Sequence, residues 1–416
     1  MPEPEPVAPS VADEPPAKPR DYADFERRFG TQWVVWVGGI ALALGGIFLV
    51  RYSIEAGLFG PGLRIIFGAI LALVLIALGE LARRREVSVG ISQINTAHIP
   101  SILTAAGTTV AYADVYAAYA LYDFLSPALA FILLGIVALA TLAAALIHGP
   151  GLAGLGMIGA YVTPALVSSA QPNYWALYVY LAVVTAAAYA LARIRLWRWL
   201  AITAAIFSLL WMLPGIPDPR ALSAHVFHSL AGFALACAFL VAGLFYGPEA
   251  ERGRYDQVSW GVLAGYLFGA FLLVLASRHD MLALAALFVL AGASIAVAWR
   301  SEAALPAVPA AALLALLVVA RWATSLYFVL WRSSTGFDMP RVMKFEMLNQ
   351  HLAFGAGIAV MFGAAGFLAQ GRSQNPLSAI LWAATGVLTP VIALIALYYG
   401  IADFERSIPF AAIALL

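Results

Sequence analysis

An all-α fold, a polytopic bundle of transmembrane helices, is what this sequence predicts, and three observations predict it. Hydrophobic residues make up 63% of the chain and charged residues only 11%, against about 25% charged in a soluble domain. The apolar residues gather in runs close to the roughly 20 residues that a helix needs to cross a hydrocarbon core about 30 Å thick. Most arginines fall between those runs, as expected of connections that carry a charge bias across a membrane. A net charge of +1 leaves no basic field for nucleic acid. The single cysteine, Cys237, lies in an apolar run and has no partner for an internal disulfide.

The elements follow in order. Residues 1–20, "MPEPEPVAPSVADEPPAKPR", hold seven prolines and no apolar core, which predicts a disordered cytoplasmic tail rather than a signal peptide or a span. Residues 21–30, "DYADFERRFG", set Tyr22, Phe25 and Phe29 opposite the charges at helical spacing. That pattern predicts a short helix lying in the interface. The transmembrane domain then takes up 31–416. Spans are expected near 32–50, 61–81, 99–121, 127–147, 150–168, 173–192, 197–214, 222–246, 257–277, 281–300, 305–330, 348–370 and 376–399, thirteen complete ones. A fourteenth opens at "SIPFAAIALL" and is truncated at Leu416, so the protein is expected to continue.

Counted along this topology, fourteen Lys and Arg fall on one side, among them Arg27, Arg83, Arg193, Arg198, Arg254 and Arg300, and eight on the other. The richer side is the cytoplasmic one, which places the N-terminus there. The abundance of arginine over lysine and of alanine suggests a GC-rich bacterium and hence its inner membrane. Residues 331–351 dissent, with Arg332, Arg341 and Lys344 on the outer side, and are expected to include an interfacial helix. Glu80 precedes Arg83 and Arg84 by three and four residues, the spacing of a helix-end ion pair.

The first span, "WVGGIALALGGIFLV", carries Gly38, Gly39, Gly45 and Gly46. Residues seven apart fall on one stripe of a helix. Helices in lipid associate by close packing of small residues, so the stripe is read as a helix-packing face, with the second span and its Gly68 and Gly79 as the expected neighbour. From here the order of features becomes familiar. "FERRFGTQWVVWVGGIALALGGIFLVRYSIEAGLFGPGLRIIFGAILALVLIALGELARRR", then "LTAAGTTVAYADVYAAYALYDFLSPALAF", then "GLAGLGMIGAYVTPALVSS", resembles the predicted membrane protein family called domain of unknown function 2339. The resemblance implies a long bacterial inner-membrane protein with many spans, and it brings no activity, cofactor or catalytic residue.

Candidate chemistry is sparse. Asp114 lies inside the third span, where a carboxylate costs about 2.5–3.5 kcal/mol on insertion scales and should face protein or water. Thr108, Tyr112 and Tyr116 line an adjoining polar-aromatic face, and the group reads as an ion or substrate site. In the fifth span Gly159, Thr163 and Pro164 predict a kinked or broken helix, because proline removes a donor and crowds the preceding turn. Broken helices at depth line transporter sites. His225 and His228 are one turn apart, with His279 a further weak candidate metal ligand near the same membrane face. The chain has no GxxxxGK[ST], HExxH or GxSxG pattern and no soluble stretch large enough for a catalytic domain. No catalytic residue, cofactor or nucleic-acid partner is therefore assigned. The expected partners are the lipid bilayer and, through small-residue faces, other membrane proteins or a second copy. Three readings remain: a transport-like protein centred on Asp114 and 159–164, a structural or assembly scaffold of the envelope, and an outer-face enzyme using the histidines.

Overall fold

A computed structural model describes residues 60–89, 99–167, 173–334 and 341–400, other than 217, 252, 370, 372 and 374, together with parts of 37–52. The tail at 1–20, the short helix at 21–30 and the fourteenth run after residue 400 lie outside the described residues.

Apart from two single 3-10 turns, every regular element among the described residues is an α-helix. They are α1 (Val37–Gly46), α2 (Pro61–Val89), α3 (Ile99–Ala120), α4 (Pro127–His148), α5 (Pro150–Leu166), α6 (Tyr174–Arg195), α7 (Arg198–Leu210), α8 (Leu222–Phe239), α9 (Gln257–Ala276), α10 (Met281–Arg300), α11 (Ala307–Ser334), α12 (Arg341–Leu368) and α13 (Pro376–Gly400). Each matches one apolar run of the sequence. Nine of them are long and apolar enough, over the described residues, to cross a membrane. α3 has the length, at 22 residues, but its threonines, tyrosines and Asp114 dilute its apolar character. α5 and α7, of 17 and 13 residues, reach only about 25 and 20 Å at 1.5 Å per residue.

Polar caps set the helix starts. The side chains of Ser126, Asn173, Asp256 and Asp280 accept from the backbone N–H groups of Leu129, Ala176, Ser259 and Leu282, satisfying donors that the first turn leaves open. The expected interfacial helix at 331–351 is not a separate element. Residues from Arg341 onward are the opening turns of the 28-residue α12, which contains no proline to interrupt it.

The chain forms two compact units, Met1–Ala111 and Tyr112–Leu416. In the first, Ala72, Leu75, Ala106 and Val110 make a small core with Leu71 and Leu103 packed on it. A β-carbon at Gly107 would come within 2.9 Å of the Ala72 carbonyl, and one at Gly79 within 2.9 Å of the Pro100 carbonyl, so these glycines let the backbones of α2 and α3 approach. The α1 glycines divide. Gly39 lies against Ile102 and Gly46 against Leu71 and Val110, whereas Gly38 and Gly45 meet nothing within 4 Å among the described residues. Glu80 receives Arg83 at 2.6 Å and Arg84 at 2.8 Å.

In the second unit α4 packs on α5, α6 and α9 on α8, and α12 on α13. Tyr178, Leu181, Tyr189, Tyr266 and Leu134 are wholly enclosed. α12 and α13 touch backbone to backbone: a β-carbon at Gly366 would sit 2.5 Å from the Gly386 Cα and 3.0 Å from the Trp382 carbonyl. Gly366→Leu is therefore expected to separate these helices, at an overpacking cost of about 1–3 kcal/mol or more. Gly261→Leu on α9, where nothing lies within 4 Å, should be neutral. Thermal unfolding of the detergent-solubilised protein distinguishes the two; equal melting temperatures would refute the close crossing.

Candidate functional site

The Pro164 region is built from three helices. Pro164 has no N–H to give to the carbonyl four residues back, that of Ala160. Tyr180, on α6, supplies the missing donor: its hydroxyl reaches the Ala160 oxygen at 2.8 Å. The Tyr180 ring lies on Gly135 of α4, where a β-carbon would be 2.8 Å away, and packs against Phe131 with ring centroids 4.6 Å apart. The neighbouring Tyr161 carbonyl accepts from the Trp211 indole at 2.9 Å, and Thr163 Oγ1 donates to the Gly159 carbonyl at 2.8 Å. With these donors in place α5 runs as one helix from Pro150 to Leu166. The break expected at 159–164 is absent, because neighbouring side chains satisfy what the proline leaves free.

Tyr112, in the middle of α3, closes this contact from the other side. Its hydroxyl is 3.4 Å from Thr163 Oγ1, and its ring occupies the space where a β-carbon at Gly159 would lie 2.6 Å from the phenolic oxygen. Tyr112, Gly159, Thr163 and Pro164 are thus brought together. Thr108, Asp114 and Tyr116 are not part of that contact. Thr108 donates to the Ala105 carbonyl of its own helix at 3.0 Å, and Tyr116 is exposed. Asp114 follows Tyr112 by two residues, about 200° of rotation at 3.6 residues per turn, so the two side chains leave α3 on nearly opposite sides. Asp114 is half-buried, and among the described residues its carboxylate makes no hydrogen bond or ion pair.

The histidines do not converge. His225 turns both ring nitrogens to backbone carbonyls, Nδ1 to Ala221 at 2.9 Å and Nε2 to Pro214 at 3.1 Å, which leaves no lone pair directed at a metal. His228 Nε2 donates to the Ser208 carbonyl at 2.9 Å, in a buried network where Tyr266 donates to Ser208 Oγ at 3.0 Å. His279, in the turn between α9 and α10, instead stacks on Trp322 at 4.6 Å, and His351 meets the same ring edge-on at 5.1 Å. Burial holds His279 below the usual histidine range, and Arg321 adds to the effect. Among the described residues no group of three His, Cys, Asp or Glu is placed to hold a metal.

At the arginine-rich ends of the helices, four connections of the second unit are tied together. Arg198 pairs with Asp256 at 3.1 Å, the Asp256 N–H donates to the Ala303 carbonyl at 3.0 Å, and Asn375 Nδ2 donates to the Gly253 carbonyl at 3.3 Å. Ser373 donates to Glu302 at 2.7 Å. A cavity of about 600 Å³ opens here between the α6–α7 turn and the α8–α9 connection. Sequence reasoning used its arginines only as a topology signal, and it missed Tyr180 and Trp211. The usable signal for Tyr180 was a tyrosine on the helix following a proline-bearing one.

The family described as predicted membrane protein (DUF2339) matches residues 30–416. The chain belongs to that family. No curated protein and no solved structure matches it.

Tyr180→Phe leaves the Ala160 carbonyl without its donor and should cost about 1–3 kcal/mol. In a Pro164→Ala background, where residue 164 regains an N–H, the same change should cost much less. A double-mutant cycle of unfolding in detergent reads the coupling; the same loss in both backgrounds would show that Tyr180 does not stand in for the missing N–H.

Proposed function

We propose that this member of the DUF2339 family is a bacterial inner-membrane protein with its N-terminus in the cytoplasm and a transport-like role in which Asp114 meets a proton or cation. The observation that carries this reading is the unpaired, half-buried carboxylate itself. Three deep tyrosines, by contrast, have partners: Tyr161 donates to the Ala204 carbonyl, Tyr178 to that of Trp211 and Tyr180 to that of Ala160. An acid at membrane depth costs about 2.5–3.5 kcal/mol on insertion scales unless water, an ion or a protein group satisfies it. The modest apolar character of α3 supports a face turned to water or protein rather than to acyl chains.

The second reading is an envelope scaffold. The closure of Tyr112 on Gly159 and of Tyr180 on the Ala160 carbonyl favours it, since that region packs as a continuous helix. In that case Asp114 meets a partner helix, from another protein or a second copy.

The readings separate without a known substrate. In a Cys237→Ala background, Asp114→Cys should react with a small charged thiol reagent added to intact membranes if water reaches the site. Protection that ends only on detergent solubilisation would contradict the transport reading and favour the scaffold.

A further inference from the structure

The cavity between the α6–α7 turn and the α8–α9 connection holds a charge pattern that its own residues leave open. Among the described residues three arginines and three acids line it. Arg198 pairs with Asp256 at 3.1 Å and Arg254 with Glu251 at 2.8 Å. Asp256 is further held by the backbone N–H and hydroxyl of Ser259, at 2.8 and 2.7 Å. Among the described residues one cation and one anion then remain. Arg193, half-buried in the last turn of α6, uses Nε on the Tyr246 carbonyl at 2.6 Å and has no carboxylate partner among the described residues. Its terminal nitrogens are unused. Glu249, exposed on the α8–α9 connection, has no cation partner among the described residues. Both line the same cavity without pairing with one another.

A cavity that presents a separated guanidinium and carboxylate is complementary to a zwitterion, and its volume is in the range of ligand sites, about 300–1,000 Å³. A guanidinium fork matches a phosphate, and a carboxylate accepts from a primary ammonium. The surroundings are amphipathic as well. α6 ends and α9 begins here, and both are long and apolar enough to span, so the cavity lies at the ends of spans, where aromatic rings such as Trp197 favour the interface. Leu196, at its edge, is 71% exposed, and Tyr246, whose carbonyl holds Arg193, is 70% exposed. Apolar surface therefore lies beside the charged pair.

We propose that this cavity binds a phosphoethanolamine headgroup, with the phosphate on Arg193 and the ammonium on Glu249, and that the ligand is a membrane phospholipid whose chains lie over the neighbouring apolar surface. The site stands on its own observations and does not depend on the role of Asp114.

The test uses the full chain purified in mild detergent, with binding read by native mass spectrometry and by thermal shift. The probes are dioleoyl lipids with ethanolamine, choline or glycerol headgroups, and soluble glycerophosphoethanolamine. The ethanolamine lipid should bind about tenfold tighter than the glycerol lipid, as expected of one charge-assisted contact. Glu249→Gln, at an exposed position, should abolish that preference while leaving the melting temperature of the lipid-free protein unchanged. Arg193→Gln should weaken all three lipids about tenfold by loss of the phosphate contact. Equal binding of the three lipids by the wild type, or an unchanged preference in Glu249→Gln, would overturn the site. Saturation by glycerophosphoethanolamine with no added affinity from the lipid chains would overturn the lipid assignment and identify a soluble ligand of the same headgroup chemistry.

Discussion

A backbone carbonyl left open at membrane depth has no water to accept from, and the bundle is arranged around meeting that demand from within. Pro164 creates such a carbonyl at Ala160, and a tyrosine from the next helix meets it. The consequences extend outward. Because Tyr180 must reach the α5 backbone, its ring crosses α4 at a position where only a glycine, Gly135, leaves room. One removed donor thus fixes the residue types on three helices.

The same device recurs. Tyr112 lies on Gly159, Tyr266 on Gly232 and Tyr174 on Gly215, each ring placed where a β-carbon would intrude. In each pair the glycine supplies depth and the tyrosine supplies apolar area. Where the hydroxyl also finds a buried partner, as Tyr266 does at Ser208 Oγ, the pair joins helices by packing and by a hydrogen bond together. Lipid offers no hydrophobic force between helices, so close contact and internal hydrogen bonds carry the association. This explains how a chain with 35 glycines still forms long helices: many of those glycines admit a neighbouring ring or backbone that favours the helix in place.

The architecture was legible in the sequence because run length and charge placement are local properties. Each of the apolar runs over the described residues became a helix. What was not legible depends on donors far away in the chain. Proline at 164 reads locally as a break, and the residues that remove the break, Tyr180 and Trp211, lie on other elements. The sequence reading set Tyr112 on a face adjoining that of Asp114, although 200° of helix rotation separates residues two apart. His225 and His228 looked like ligands because helical spacing places them together, yet both His225 nitrogens and His228 Nε2 face backbone carbonyls that no spacing rule reveals. The Arg193–Glu249 arrangement was hidden for the same reason: the paired charges had to be removed from consideration before the unpaired ones stood out.

The carbonyls beside Pro164 are satisfied by side chains of neighbouring elements, and α5 is consequently one helix. Hydrogen exchange of the full chain in lipid nanodiscs, followed by mass spectrometry over residues 150–166, tests it most directly. The amides of the turn preceding Pro164 should be as strongly protected as those of α4 and α6. Exchange there on the timescale of an open loop, with α4 and α6 still protected, would contradict the account and restore a broken helix facing water.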